Sequence, residues 1–166
     1  MHRPGHWGAA LLVYAPLAFV AVLAGAADVA LLGGATAVAL AMVPDLDQRV
    51  PGVRHRGPTH TAWFALAVGV ATGVVGGVIG AETGPLATVV LAVFGFLVGA
   101  GTITSHILAD ALTPAGVRPF TPQGSRRYSY DIARASNPLA NYTLLALGGG
   151  VAGAALWLGD LLHRAF

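Results

Sequence analysis

The sequence predicts an all-α fold, a multi-pass transmembrane bundle of about five helices forming one domain over residues 1–166. Three observations predict it. Hydrophobic residues make up 55% of the chain and charged residues only 10%, against about 25% charged in soluble domains, so too few charges exist to cover a water-facing surface. Mean hydropathy is +0.71. Stretches free of Asp, Glu, Lys, Arg and His run over residues 7–27, 29–44, 61–81, 83–105 and 135–159. All but the second reach the roughly 20 apolar residues that a bilayer crossing needs.

Helix 1 starts just after His6. Arg3, the apolar run and Ala24-Gly25-Ala26 also have the outline of a cleavable signal peptide. Pro16, Tyr14 and Trp7 break the uniformity of such a segment, so a retained first crossing is expected. The run over 29–44 is short, about 24 Å as a helix at about 1.5 Å per residue. It reads as the return limb of a hairpin turning near Asp28, ending below the headgroups in a polar recess. Helix 3 leaves from His60, helix 4 ends around Asp110, and helix 5 begins near Asn137. Glycines recur four apart at Gly69, Gly73 and Gly77, at Gly95 and Gly99, and at Gly149 and Gly153. Small faces let helices approach closely in lipid, and here they are expected to pack within one bundle. Residues 113–124, rich in Pro and Gly and followed by Ser125, Arg126, Arg127 and Tyr128, read as an ordered loop.

Alternating crossings bring His6, Asp45, Asp47, His55, His60, His106 and Asp110 to one side of the bilayer. Asp28, Glu82, Asp160, His163 and Arg164 fall on the other. Ionisable groups at membrane depth are costly and mark function. Polar helix ends at the interface account for one or two such residues, not for four His and three Asp without a matching Lys or Glu. Eight of the nine arginines share that side, namely Arg3, Arg49, Arg54, Arg56, Arg118, Arg126, Arg127 and Arg134. The positive-inside rule then makes it the cytoplasmic face of the cell (inner or plasma) membrane. A net charge of only +2 gives no reason to expect direct nucleic-acid binding.

The chain has no cysteine, which excludes disulfides, thiol nucleophiles and thiolate metal sites. Imidazole and carboxylate remain. His106 and Asp110 stand four apart, on one helix face. His55 and His60 bracket the Gly57-Pro58 turn, and Asp45-Leu46-Asp47 follows Pro44. Such a mixed set suits a divalent metal, with Zn first and Mn or Fe as alternatives. Seven candidate ligands exceed the needs of one tetrahedral ion, so two or more ions are plausible. The matching chemistry is metal-assisted hydrolysis. Glu82 is the only Glu and lies on the far side, which leaves Asp47, Asp110 or metal-activated water as the base. Arg56 and Arg118 are candidates to grip a phosphate. His2 and His163 read as ordinary terminal residues. Asn137 and Asn141 either cap helix 5 or line the pocket.

Several blocks carry a resemblance: Gly5-His6, Pro44-Asp45-Leu46-Asp47, His55-Arg56-Gly57-Pro58-Thr59-His60-Thr61, and the run from Ser105-His106 through Asp110 to Thr113-Pro114-Ala115-Gly116-Val117. Together they resemble the YdjM family of inner-membrane proteins, described as metal-dependent hydrolases and in some cases as LexA-binding. The resemblance implies kinship with zinc-dependent phospholipase C and P1-type nucleases, hence hydrolysis of a phosphoester, a lipid headgroup being one candidate. It carries His6, Asp45, Asp47, His55, His60, His106 and Asp110 over as metal ligands, with Asp47, Asp110 and Arg56 as the catalytic candidates. Two other classes stay open: a non-catalytic scaffold for a cytoplasmic partner such as a LexA-like repressor, and a metal transporter. Helices 3, 4 and 5 hold almost no polar residues at mid-depth, which speaks against transport.

Overall fold

The computed structural model describes residues 1–166 and is all-helical: α1 (Arg3–Leu23), α2 (Ala27–Leu40), α3 (Ala62–Ala81), α4 (Pro85–Ala111) and α5 (Pro138–Ala165). Short 3-10 helices cover Pro44–Arg49 and Pro58–His60. Five helices are long and apolar enough to cross a membrane, the second when its continuation to Arg49 is included. α2 alone has 14 residues, about 21 Å against a hydrocarbon core of about 30 Å. The rest of its path is the 3-10 turn that carries Asp45 and Asp47, so these carboxylates enter at the level of the other helix ends.

Local chemistry sets the boundaries. Prolines stand in the first turns of α1, α4 and α5, where the missing N–H costs nothing. The Thr61 hydroxyl accepts from Phe64 N–H, and the Asn137 side chain from Ala140 N–H, so Asn137 is an N-cap. The α1–α2 turn passes through Gly25 at φ +81°.

The bundle turns its large apolar side chains outward. Leu31, Leu32, Val74, Val78, Leu86, Leu139 and Trp157 are exposed, while Ala10, Ala15, Ala18, Ala30, Ala37 and Ala41 are buried. Lipid as the surrounding solvent explains the inversion. The two most extensive pairings are α3 with α4 and α1 with α5. At the first, Gly69 and Gly73 meet Ala100, Phe96 and Ala92, and Gly95 and Gly99 meet the Thr72 and Val68 turn. The expected pair on α5 is different from the observed one. Gly149 and Gly153 face open space, and Gly148 instead lies against the Gly8 carbonyl of α1. A leucine at Gly148 would drive its Cβ into backbone that cannot swing aside. Gly148→Leu is therefore expected to lower stability by about 3 kcal/mol, the upper end of ordinary overpacking. Gly149→Leu should stay within about 0.5 kcal/mol. Thermal unfolding of the two variants in detergent checks the contrast.

The loop between α4 and α5 is ordered, as its composition predicts. Val117 and Tyr128 exchange backbone hydrogen bonds, and Tyr130 and Ile132 N–H groups reach back to Ala111 and Leu112. Tyr128 packs edge-on to Phe120 and beneath Arg126. Ala62 N–H donates to Pro119 O, which ties this loop to the start of α3.

Candidate metal centre

Five segments meet at one end of the bundle: the first turns of α1, the 3-10 turn after α2, the loop and turn before α3, the last turns of α4, and the loop that follows α4. His6, His60 and His106 are fully buried, and Asp110 and Asp47 nearly so. Burying such groups is costly unless they are paired or coordinate an ion.

Four donor atoms converge. His60 Nε2 and His106 Nε2 are 3.2 Å apart. Asp45 Oδ1 is 3.5 Å from His60 Nε2 and 3.6 Å from His106 Nε2. Asp110 Oδ2 is 3.6 and 3.9 Å from the same two nitrogens. A tetrahedral ion with bonds of about 2.0–2.1 Å requires ligand–ligand edges of about 3.3–3.4 Å, the edge being 1.63 times the bond. Five of the six edges lie near that length, and all four atoms lie within 4.8 Å of one another, so the set can close on such an ion.

Hydrogen bonds behind the rings orient them. His106 Nδ1 is 2.7 Å from the Ala41 carbonyl. A carbonyl only accepts, so Nδ1 carries the proton and Nε2 presents its lone pair to the cluster. His60 Nδ1 lies 3.0 Å from Thr59 Oγ1, and that hydroxyl donates to Asp47 Oδ2 at 2.9 Å. The hydroxyl oxygen therefore accepts from His60 Nδ1–H, and again Nε2 points inward unprotonated. Two such nitrogens at 3.2 Å have no proton to share, and a cation between them resolves the contact. Outer partners of this kind accompany metal-ligating histidines.

His6 supplies an independent test of fit. Its ring stacks on His106 at 3.7 Å between centroids and 7° between planes, yet both of its buried nitrogens lack any hydrogen-bond partner. Its Nε2 faces the remaining carboxylate oxygens, 3.8 Å from Asp45 Oδ2 and 3.6 Å from Asp110 Oδ1. Asp45 and Asp110 thus turn one oxygen toward the His60/His106 pair and the other toward His6. The positively charged Met1 amino group already stands against Asp110 Oδ1.

A second group of donors joins Asp47, His55 and His60. Asp47 stands behind His60 rather than among the four converging atoms. It accepts from His55 Nδ1 at 2.9 Å, Arg56 N–H at 3.1 Å and the Thr59 hydroxyl at 2.9 Å. Arg56 adopts φ +60°, a region sparsely populated by residues other than glycine and often found at functional sites. In that conformation its guanidinium donates to Asp110 Oδ1 at 3.0 Å, Gly116 O at 3.0 Å and Thr113 Oγ1 at 3.3 Å. The arginine read from sequence as a phosphate grip is therefore largely spent on holding Asp110. Arg118 stands apart, on an open cleft.

A family model described as YdjM inner membrane protein matches residues 1–162. The chain belongs to that family. No curated protein and no solved structure matches it.

In this YdjM chain all seven sequence-predicted ligands lie in one connected network. Asp45, His60, His106 and Asp110 share one donor set, and Asp47 and His55 join it through His60. His6 is held against both carboxylates. Asn141 does not line the cluster. Its Oδ1 accepts from His2 N–H, and its Nδ2 donates to the Ala135 and Asn137 carbonyls, so it anchors the start of α1, which carries His6. Sequence reasoning missed Thr59 and the Ala41 carbonyl. The Thr59-His60 neighbourhood was visible, but a backbone acceptor on α2 leaves no signature in residue type.

Proposed function

We propose that this protein is a metal-dependent hydrolase of phosphoesters, with its centre at the cytoplasmic face of the inner or plasma membrane. The observation that carries the reading is the convergence of four donors, three of them buried, whose ligand atoms all lie within 4.8 Å of one another. Zn is the preferred ion for two imidazoles and two carboxylates, with Mn or Fe next. A bound divalent cation would supply Lewis-acid activation of water and neutralise charge on the departing oxygen.

His60, His106, Asp45 and Asp110 would hold the ion. His6 stands beside this set against the outer oxygen of Asp45, while the outer oxygen of Asp110 is taken up by Arg56. Arg56 fixes Asp110, and Asp47 fixes His60. Asp47 also accepts the Nδ1 proton of His55, which leaves His55 Nε2 as a basic nitrogen. His55 is the one histidine of the network with a substantially exposed side chain (42%), which supports a role in taking a proton from water and returning it to a leaving group. Away from the cluster, the interior of α1, α2 and α4 is built mainly of small apolar residues with few polar groups such as Tyr14 and Thr102, which favours hydrolysis over transport.

The test is turnover of a panel of phosphomonoesters and phosphodiesters by detergent-purified protein loaded with Zn or Mn. His106→Ala and Asp110→Ala are expected to remove both metal and turnover. His55→Gln is expected to retain metal and lower turnover by about 10²–10⁴-fold, the usual worth of a general acid–base group. Stoichiometric metal in the parent protein with no turnover across the panel would contradict the hydrolase reading and favour a scaffold for a cytoplasmic partner.

A further inference from the structure

We propose that the open cleft beside the centre is a phosphate-binding subsite in which Arg54, Arg118 and Arg127 hold the anionic group of the ligand. This rests on the phosphoester reading above and names how that substrate class is recognised. The cleft has a volume of about 910 Å³, and its lining includes Arg54, His55, Arg56, Arg118 and Arg127 but no Asp or Glu. Arg56 is committed to Asp110 and Gly116. The other three guanidiniums have no carboxylate partner; the only arginines in ion pairs are Arg56 and Arg164. Cations gathered around one cavity without a counter-charge repel one another, and an anion relieves that repulsion. Arginine suits phosphate in particular, since its planar fork pairs with two oxygens at once.

Position supports the assignment. Arg56 and His55 form the shared wall: each lines the cleft and hydrogen-bonds to a carboxylate of the centre, Asp110 and Asp47 respectively. A phosphate held by the three free arginines therefore lies next to the proposed ligands. Trp63 and Phe64, at the start of α3, also line it, and half-exposed tryptophan is typical of the membrane–water interface. The other opening at this end, over Asp45, contains Arg3 and Arg49 but also the Asp45 carboxylate, so it is the poorer site for an anion. Arg126, stacked on Tyr128, does not line the cleft.

Trp63 reports on the site once Trp7 and Trp157 are replaced by phenylalanine. Emission is followed in detergent while inorganic phosphate, or dihexanoyl phosphatidic acid below its micellar concentration, is added. A saturable change with inorganic phosphate is expected, and it should persist after chelator treatment. Arg118→Gln/Arg127→Gln is expected to weaken it at least tenfold with metal content and melting temperature unchanged, and Arg54→Gln to weaken it less. Arg3→Gln/Arg49→Gln should leave it intact. Tighter binding of the short-chain lipid assigns the phosphate to a headgroup, and equal binding assigns it to phosphate alone; both support the subsite. Absence of a saturable response overturns it. So does a response that vanishes with the metal and ignores the Arg118 and Arg127 substitutions, or one that is lost instead in Arg3→Gln/Arg49→Gln. Failure of the hydrolase reading would appear separately, as metal-loaded protein that binds phosphate but turns over no ester.

Discussion

Replacing His106 with alanine is expected to leave the purified protein without its tightly held cation. The imidazole supplies one of four converging donors, and its Nε2 is the nearest of the other three to His60 Nε2, at 3.2 Å. Loss of a partner that only orients a ligand costs about 10–100-fold in metal affinity, and loss of a ligand itself should exceed that range. The same change removes the surface on which His6 stacks, so the packing of that ring is lost with the ligand. Elemental analysis after dialysis against metal-free buffer measures the effect directly. Asp47→Asn makes the comparison sharp. It weakens the support of His60 while leaving the four donors intact, so its loss of affinity should remain within the range for an orienting partner. Equal metal content in His106→Ala and the parent protein would mean that the cluster binds nothing.

Arg56→Met should produce the largest loss of stability among substitutions in the loops. Asp110 is almost fully buried, and Arg56 supplies it with a hydrogen-bonded cation at 3.0 Å. Breaking a buried pair by removing one member costs about 3–5 kcal/mol, because the orphaned charge remains. The Arg56 side chain is 17% exposed, so the lower end of that range is expected. Arg56→Lys should not rescue it. An ammonium is a point charge without the fork that reaches Asp110, Thr113 and Gly116 together. Saturating Zn is expected to recover part of the loss, since ligand that binds only the folded state stabilises by mass action. Chemical unfolding with and without added metal tests both statements. A larger gain with metal in Arg56→Met than in the parent protein would tie Asp110 to the ion-binding set.

Much of this was legible in the sequence because lipid imposes simple rules. Charge-free runs of the required length can only be helices that satisfy their own backbone, and alternating crossings then bring the His and Asp segments to one end. The division of labour inside the cluster was not legible. Asp45 and Asp47 look equivalent in Pro44-Asp45-Leu46-Asp47, but they lie on a 3-10 turn. With about three residues per turn, positions two apart point in different directions, so Asp45 faces the imidazole Nε2 atoms and Asp47 supports His60 and His55 from behind. Arg56 was read as a phosphate grip because its reach to Asp110 and Gly116 depends on contacts more than fifty residues away. The same limit applies on α5. The sequence shows a small-residue face, but the docking of α1 decides that Gly148, rather than Gly149 or Gly153, makes the close approach.

X-ray absorption at the metal edge of the protein purified without chelator and loaded with zinc examines the ion-binding claim at its source. The expected spectrum is a first shell of about four nitrogen and oxygen neighbours at about 2.0–2.1 Å, with outer-shell scattering from imidazole that falls in His106→Ala. A protein that takes up no stoichiometric zinc, or a spectrum of oxygen neighbours alone without imidazole scattering, would contradict it.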